Sequence, residues 1–116
     1  MGPFSKEELD KLQEIMEKIS ENKSEFVFIN YVKGERKFLR HHPHGITVER
    51  HSDMYLTLFM HTSKDKKSST QIDIHAHIPG INTDKGFMDM LGEIEIWELD
   101  SLGQGHLIYE RKEKEI

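Results

Sequence analysis

The densest run of chemistry-bearing side chains is Gln71-Ile72-Asp73-Ile74-His75-Ala76-His77-Ile78-Pro79-Gly80. In a strand, successive side chains point to opposite faces. Ile72, Ile74, Ala76 and Ile78 therefore turn one way, and Asp73, His75 and His77 the other. One face can build a core while the other carries a carboxylate and two imidazoles in a row. Residues i and i+2 of a strand lie about 7 Å apart at the backbone, near enough for two imidazoles to share a metal ion. Glu93 or Glu95 would supply a carboxylate if the last hairpin neighbours this strand, and His61 a further imidazole. Such a set suits Zn²⁺, Mn²⁺ or Fe²⁺, and an open coordination position would activate a water. The competing reading is plainer: an outward strand face is polar because water meets it.

Three family motifs bear on these residues. Asp73-Ile74-His75-Ala76-His77-Ile78-Pro79-Gly80 resembles the D-x-H-x-H segment that opens the barrel of amidohydrolases such as dihydroorotases. That resemblance would make His75 and His77 ligands of a catalytic metal. It covers only this segment, and a (β/α)₈ barrel takes ~250 residues where the chain has 116. Cupins also place H-x-H on a strand, but the Gly and Glu spacing of their first motif is missing. His61-Thr62-Ser63 resembles one H-x-[ST] element of two-histidine phosphoesterases, which need two; His75-Ala76-His77 has no hydroxyl residue. Cysteine is absent, which removes disulfides and thiolate metal sites. There is no G-x-S-x-G elbow and no phosphate-binding glycine loop ahead of a helix. His41-His42-Pro43-His44-Gly45 reads as a loop whose three histidines are a candidate adventitious metal site or pH-sensitive contact.

Bulk properties narrow the classes further. A chain of 116 residues with 35% hydrophobic and 32% charged content fits one α+β domain over residues 1–116, with a real core. The net charge of −5 disfavours general nucleic-acid binding, which needs surplus Lys and Arg. No run approaches the roughly 18 apolar residues of a membrane span, and Met1-Gly2-Pro3-Phe4-Ser5-Lys6 lacks the layout of a secretory signal. The expected location is cytoplasmic.

The elements that must position these side chains follow from periodicity. Residues 5–22 predict a helix: Ser5 and Glu8 make a capping box, Phe4 and Leu9 a staple, and Leu9, Leu12, Ile15, Met16 and Ile19 one apolar stripe. Strands are expected at Glu25–Lys33, Arg36–His41, Ile46–His51, Met54–His61, Thr70–Ile78, Glu93–Leu99 and His106–Arg111. A Gly34-Glu35 turn would pair Tyr31 with Phe38 and Asn30 with Leu39. In the second hairpin, Ile46 and Val48 are expected to share a face with Tyr55 and Phe59, opposite Leu56, Leu58 and Met60. Thr83 caps a short helix through Phe87–Leu91, closed by Gly92. Short connections favour an antiparallel meander of six or seven strands, with the first helix on one face. The alternative is a partly closed barrel that this helix plugs at one end.

Strands apolar on both faces leave surface that a single helix cannot cover, which points to a second layer or a second subunit. The expected protein is accordingly a small non-enzymatic binding or inhibitor protein of the immunity, antitoxin or virus-encoded antagonist type, forming a homodimer. Its partner would be a protein or a small ligand. The expected recognition face comprises Asp73, His75, His77, Glu93, Glu95 and Trp97, with the lone indole as anchor for a partner or a planar ligand. The alternatives are a metal-dependent enzyme using His75, His77 and a carboxylate, with His61 as a further ligand, and a protein that holds a nucleotide-like ligand against Trp97. No cofactor is expected apart from that candidate divalent metal.

Overall fold

The computed structural model describes residues 4–32, 35–76, 81–83, 86–88 and 93–112. It has an N-terminal helix, α1 (Lys6–Asn22), followed by strands in two antiparallel sheets. In chain order these are β1 (Glu25–Val32), β2 (Glu35–His42), β3 (Ile46–Ser52), β4 (Tyr55–His61), β5 (Ser69–His75), β6 (Ile81–Thr83), β7 (Gly86–Met88), β8 (Glu93–Leu99) and β9 (Gly105–Arg111). One sheet runs β2-β1-β8-β9 and the other β3-β4-β5-β6-β7.

The helix forms where its local chemistry says it should. Ser5 Oγ accepts from the Glu8 amide, and Glu8 Oε1 accepts from the Ser5 amide, both at 3.1 Å. This reciprocal cap satisfies two of the amides that every helix start leaves without partners. At the other end Lys23 turns left-handed at φ 54°, and the amides of Lys23 and Ser24 bond back to Ser20 and Ile19. The stripe Leu9, Leu12, Ile15, Met16 and Ile19 is buried throughout.

That stripe meets the inner faces of both sheets in one core. Phe26, Phe28, Ile94 and Ile96 come from one sheet, and Ile46, Leu56, Leu58, Met60, Ile72 and Ile74 from the other. The helix lies beside the edge strands β3 and β9. Arg50 of β3 donates to Asp10 Oδ1 at 2.9 Å and Gln13 Oε1 at 3.0 Å, and Arg111 of β9 donates to Glu8 Oε2. The Arg111 guanidinium also sits 4.2 Å from the Phe4 ring centroid. Phe4 itself pairs in parallel with Ala76, just past the end of β5.

Four expectations are corrected. The single meander is two sheets, because the chain leaves β1–β2, builds β3–β7, and returns to lay β8 against β1. In place of a short helix, Gly86–Met88 pairs with Ile81–Thr83 as a small hairpin next to β5. Three-residue strands are too short to show a period of two, so the Thr83 and Gly92 punctuation was the stronger local signal. The β1–β2 register differs by one residue: Asn30 faces Phe38 and Ile29 faces Leu39, with a bulge before Tyr31 pairs with Arg36. Finally, Ile46 and Val48 pair with Met60 and Leu58 and share their core face. A bulge between Arg50 and Ser52 changes the parity that simple alternation assumed.

Candidate recognition surfaces

With the inner faces committed to one core, the two outer faces look away from each other, and the five described residues of the expected site divide between them. Asp73 and His75 lie on β5, and Glu93, Glu95 and Trp97 on β8 of the other sheet. His77 falls outside the described residues. The carboxylates of β8 therefore do not join His75 in a ligand set.

On the β3-β4-β5 face, Tyr55 pairs with Ser52 on one side and His75 on the other. The bulge at His51 brings that ring over Tyr55. The result is a row of three rings: His51 tilted by 37° against Tyr55 with centroids 4.4 Å apart, and Tyr55 stacked on His75 with centroids 4.1 Å apart. Two residue pairs further along, on the same face, Thr57 lies opposite Asp73. Its hydroxyl donates to Asp73 Oδ1 at 2.8 Å, while His51 Nε2 stands 2.8 Å from the Thr57 Oγ1 itself. A hydroxyl has one hydrogen. With that hydrogen on the carboxylate, His51 must be the donor through Nε2. Gln71 Nε2 then reaches both Asp73 oxygens, at 3.1 and 3.3 Å.

The order His51–Thr57–Asp73 uses the residue types of a nucleophilic triad in the wrong sequence. Activation needs the hydroxyl proton aimed at the imidazole, with the carboxylate behind it. Here the proton is aimed at the carboxylate and the imidazole donates as well. The arrangement fixes side chains in place and does not generate an alkoxide.

His61 sits at the opposite end of the same hairpin, since His61 pairs with Ser69 where Tyr55 pairs with His75. Six residues of strand separate these pairs, about 20 Å. Its two ring nitrogens meet Thr47 Oγ1 at 2.8 Å and Ser69 Oγ at 2.9 Å. Burial, with a smaller contribution from Lys66, lowers its pKa below the usual imidazole value. His61 and His75 are too far apart to share a metal. Among the described residues, no group of three or more histidine, aspartate or glutamate side chains is arranged to hold a metal ion. The histidine-rich stretch is not a loop cluster either: His41 and His42 end β2, His41 Nε2 lies 2.8 Å from Glu25 Oε1, and His42 turns into the interior.

The outer face of β2-β1-β8-β9 has a different character. Val27 stands between His41 and Trp97, with Leu107 beyond the indole; Ile29 stands between Leu39 and Glu95, with Glu110 beyond. Tyr31 lies between Arg36 and Glu93. The Tyr31 hydroxyl and the Trp97 Nε1–H both donate to Glu95 Oε1, at 3.3 and 3.2 Å. Leu39 is 47% exposed and Leu107 41%, so an apolar band crosses this face in contact with solvent. A separate open cleft of about 510 Å³ lies where the end of α1 meets the β8–β9 turn, between Lys23, Glu25, Glu98, Asp100 and His106. Asp100 ties that turn, accepting from the Leu102 and Gln104 amides at 2.9 Å. Hydrogen bonds from His106 and then the Gln104 amide hold its pKa below the usual carboxylate range.

Fold and faces together define an α+β protein with two antiparallel sheets and two outward surfaces, one polar and aromatic, the other apolar with an acidic side. Among the described residues no helix is long and apolar enough to cross a membrane. No family model, curated protein or solved structure matches the chain.

Sequence reasoning placed Asp73 and His75 outward but missed His51, Tyr55 and Thr57, the residues that organise them. Their alternation was readable. The bulge that brings His51 over Tyr55 was not.

Proposed function

We propose that this is a small, acidic, non-enzymatic binding protein of the inhibitor type that recognises a protein partner through the outer face of β3-β4-β5. The observation behind this reading is the accessible row of rings His51–Tyr55–His75, held from below by the Thr57–Asp73–Gln71 hydrogen bonds. Association must overcome the entropy of fixing side chains, about 0.5–1.5 kcal/mol for each flexible one. Rings already packed on one another, with His51 also hydrogen-bonded to Thr57, have little of that entropy left to lose. Tyr is also a preferred interface anchor, because it offers a large apolar body with a polar tip. Asp73 would give the surface a carboxylate of fixed direction, suited to a donor on the partner. Thr57, 1% exposed, would act as the internal brace.

The test is paired affinity capture with the wild-type protein and a Tyr55→Ala/His75→Ala variant as baits, from an extract of the cells that make the protein. The expected result is a protein retained by the wild type and lost by the variant, with the difference reproduced by calorimetry on purified components. Indifference of all captured proteins to the double substitution would overturn the reading.

A further inference from the structure

We infer that Ser69 is a nucleophile activated by His61 and accepts an acyl group from an ester, with Thr47 fixing the imidazole. The three side chains form a row across β3, β4 and β5, at the end of the sheet remote from Tyr55 and His75. The inference is separate from the recognition reading, which uses the other end of this face.

Hydrogen counting carries the assignment. His61 Nδ1 lies 2.9 Å from Ser69 Oγ, and Nε2 lies 2.8 Å from Thr47 Oγ1. Burial, and then the charge of Lys66, lower the His61 pKa, so the ring is neutral at physiological pH. A neutral imidazole donates through one nitrogen and accepts at the other. Both contacts are therefore hydrogen bonds only if one hydroxyl aims its hydrogen at the ring. The Thr57 hydroxyl lacks that relation, because its hydrogen goes to Asp73. In the His61 row the second hydroxyl accepts the ring N–H. Nucleophile, base and orienting group are then all within hydrogen-bond reach.

Ser69 suits the nucleophile's role better than Thr47. Its hydroxyl is primary and less hindered than one on a β-branched carbon. It also opens β5 directly after the turn Lys64-Asp65-Lys66-Lys67, and the Lys66 charge that reaches His61 also favours an oxyanion formed at Ser69. Ser69 is half-buried and Thr47 exposed, so an ester can reach the row, while His61 itself is only 7% exposed.

In the transfer, Ser69 Oγ bonds to the ester carbonyl carbon as its proton passes to His61 Nδ1. The tetrahedral intermediate then expels the alcohol oxygen, which leaves with that proton. His61 returns to its neutral form, and Ser69 carries the acyl group.

The experiment is treatment of the full chain with para-nitrophenyl acetate, followed by peptide mass mapping. Hydroxylamine cleaves the esters formed on hydroxyls and leaves the amides formed on lysines. The expected result is a hydroxylamine-labile acetyl group on Ser69, formed roughly a hundredfold faster than on the exposed Ser20 and Ser101 of the same molecules. His61→Gln should remove most of that advantage, and Thr47→Val should reduce it. Acetylation of Ser69 no faster than of Ser20 and Ser101 overturns the inference, and this comparison needs no variant to fold. So does an ester on Thr47 in its place, or a Ser69 rate that His61→Gln leaves unchanged.

Discussion

The His42 ring lies against Phe26 with centroids 4.8 Å apart, and the residue is 1% exposed. Its Nε2 has no hydrogen-bond partner among the described residues. Burial, reinforced by the positive charges of Arg40 and His41, pushes its pKa down to about 3. The unfolded chain titrates near 6.5. Between those values the unfolded state binds a proton that the native state refuses, so stability falls as pH falls through this window and is intact above it. The loss approaches about 1.4 kcal/mol per pH unit, or about 2 kcal/mol between pH 6.5 and pH 5. His61, also lowered by burial, acts in the same direction. Urea midpoints measured across that range should fall steeply for the wild type and less steeply for His42→Phe, which keeps the stacked ring and loses the titration. An identical slope in both proteins would remove His42 as the cause. The inward turn of His42 was not legible, because two neighbouring histidines followed by Pro43 read as a loop. What decides it is pairing: β2 continues through His42, opposite Phe26.

At the scale of elements, α1 was legible almost to the residue because everything that defines it is local. Cap, staple and stripe lie within one stretch of chain, and Ser5, Glu8, Leu9 and Leu12 occupy the expected positions. What the sequence could not reveal is the second use of Glu8. One oxygen completes the cap and the other accepts from Arg111, a residue at the far end of the chain. Burial alone would raise the Glu8 pKa, but the bonds from Arg111 and Ser5 outweigh it, and the net shift is downward. Ser5→Ala removes the hydroxyl half of the cap and should cost about 1 kcal/mol. Glu8→Ala removes half of the cap together with the tie between α1 and β9, and should cost about 2 kcal/mol. Equal losses in urea unfolding would mean that the helix–strand tie contributes nothing. The β6–β7 hairpin shows the opposite case, since its short strands are defined only by the β5 edge beside them.

For the molecule as a whole, the readable fact was that strands apolar on both faces need two layers of cover. How the chain supplies them was hidden, because the decisive contact joins β1 to β8 across all of the intervening second sheet. Rules favouring neighbouring strands point to a meander instead. The outcome couples the sheets: Leu58 from one, Phe28 and Ile96 from the other, and Leu12 from α1 are buried in the same core. Leu58→Ala leaves a cavity among all three elements and should cost about 3 kcal/mol. Its effect should not stay within its own sheet. Far-UV circular dichroism reports every element, whereas fluorescence reports Trp97 in the sheet that lacks Leu58. If the core is one cooperative unit, both probes follow a single transition in wild type and variant, and both midpoints drop together. A Trp97 transition that held its wild-type midpoint while the dichroism shifted would mean that the sheets unfold separately, and that the shared core does not bind them into one domain.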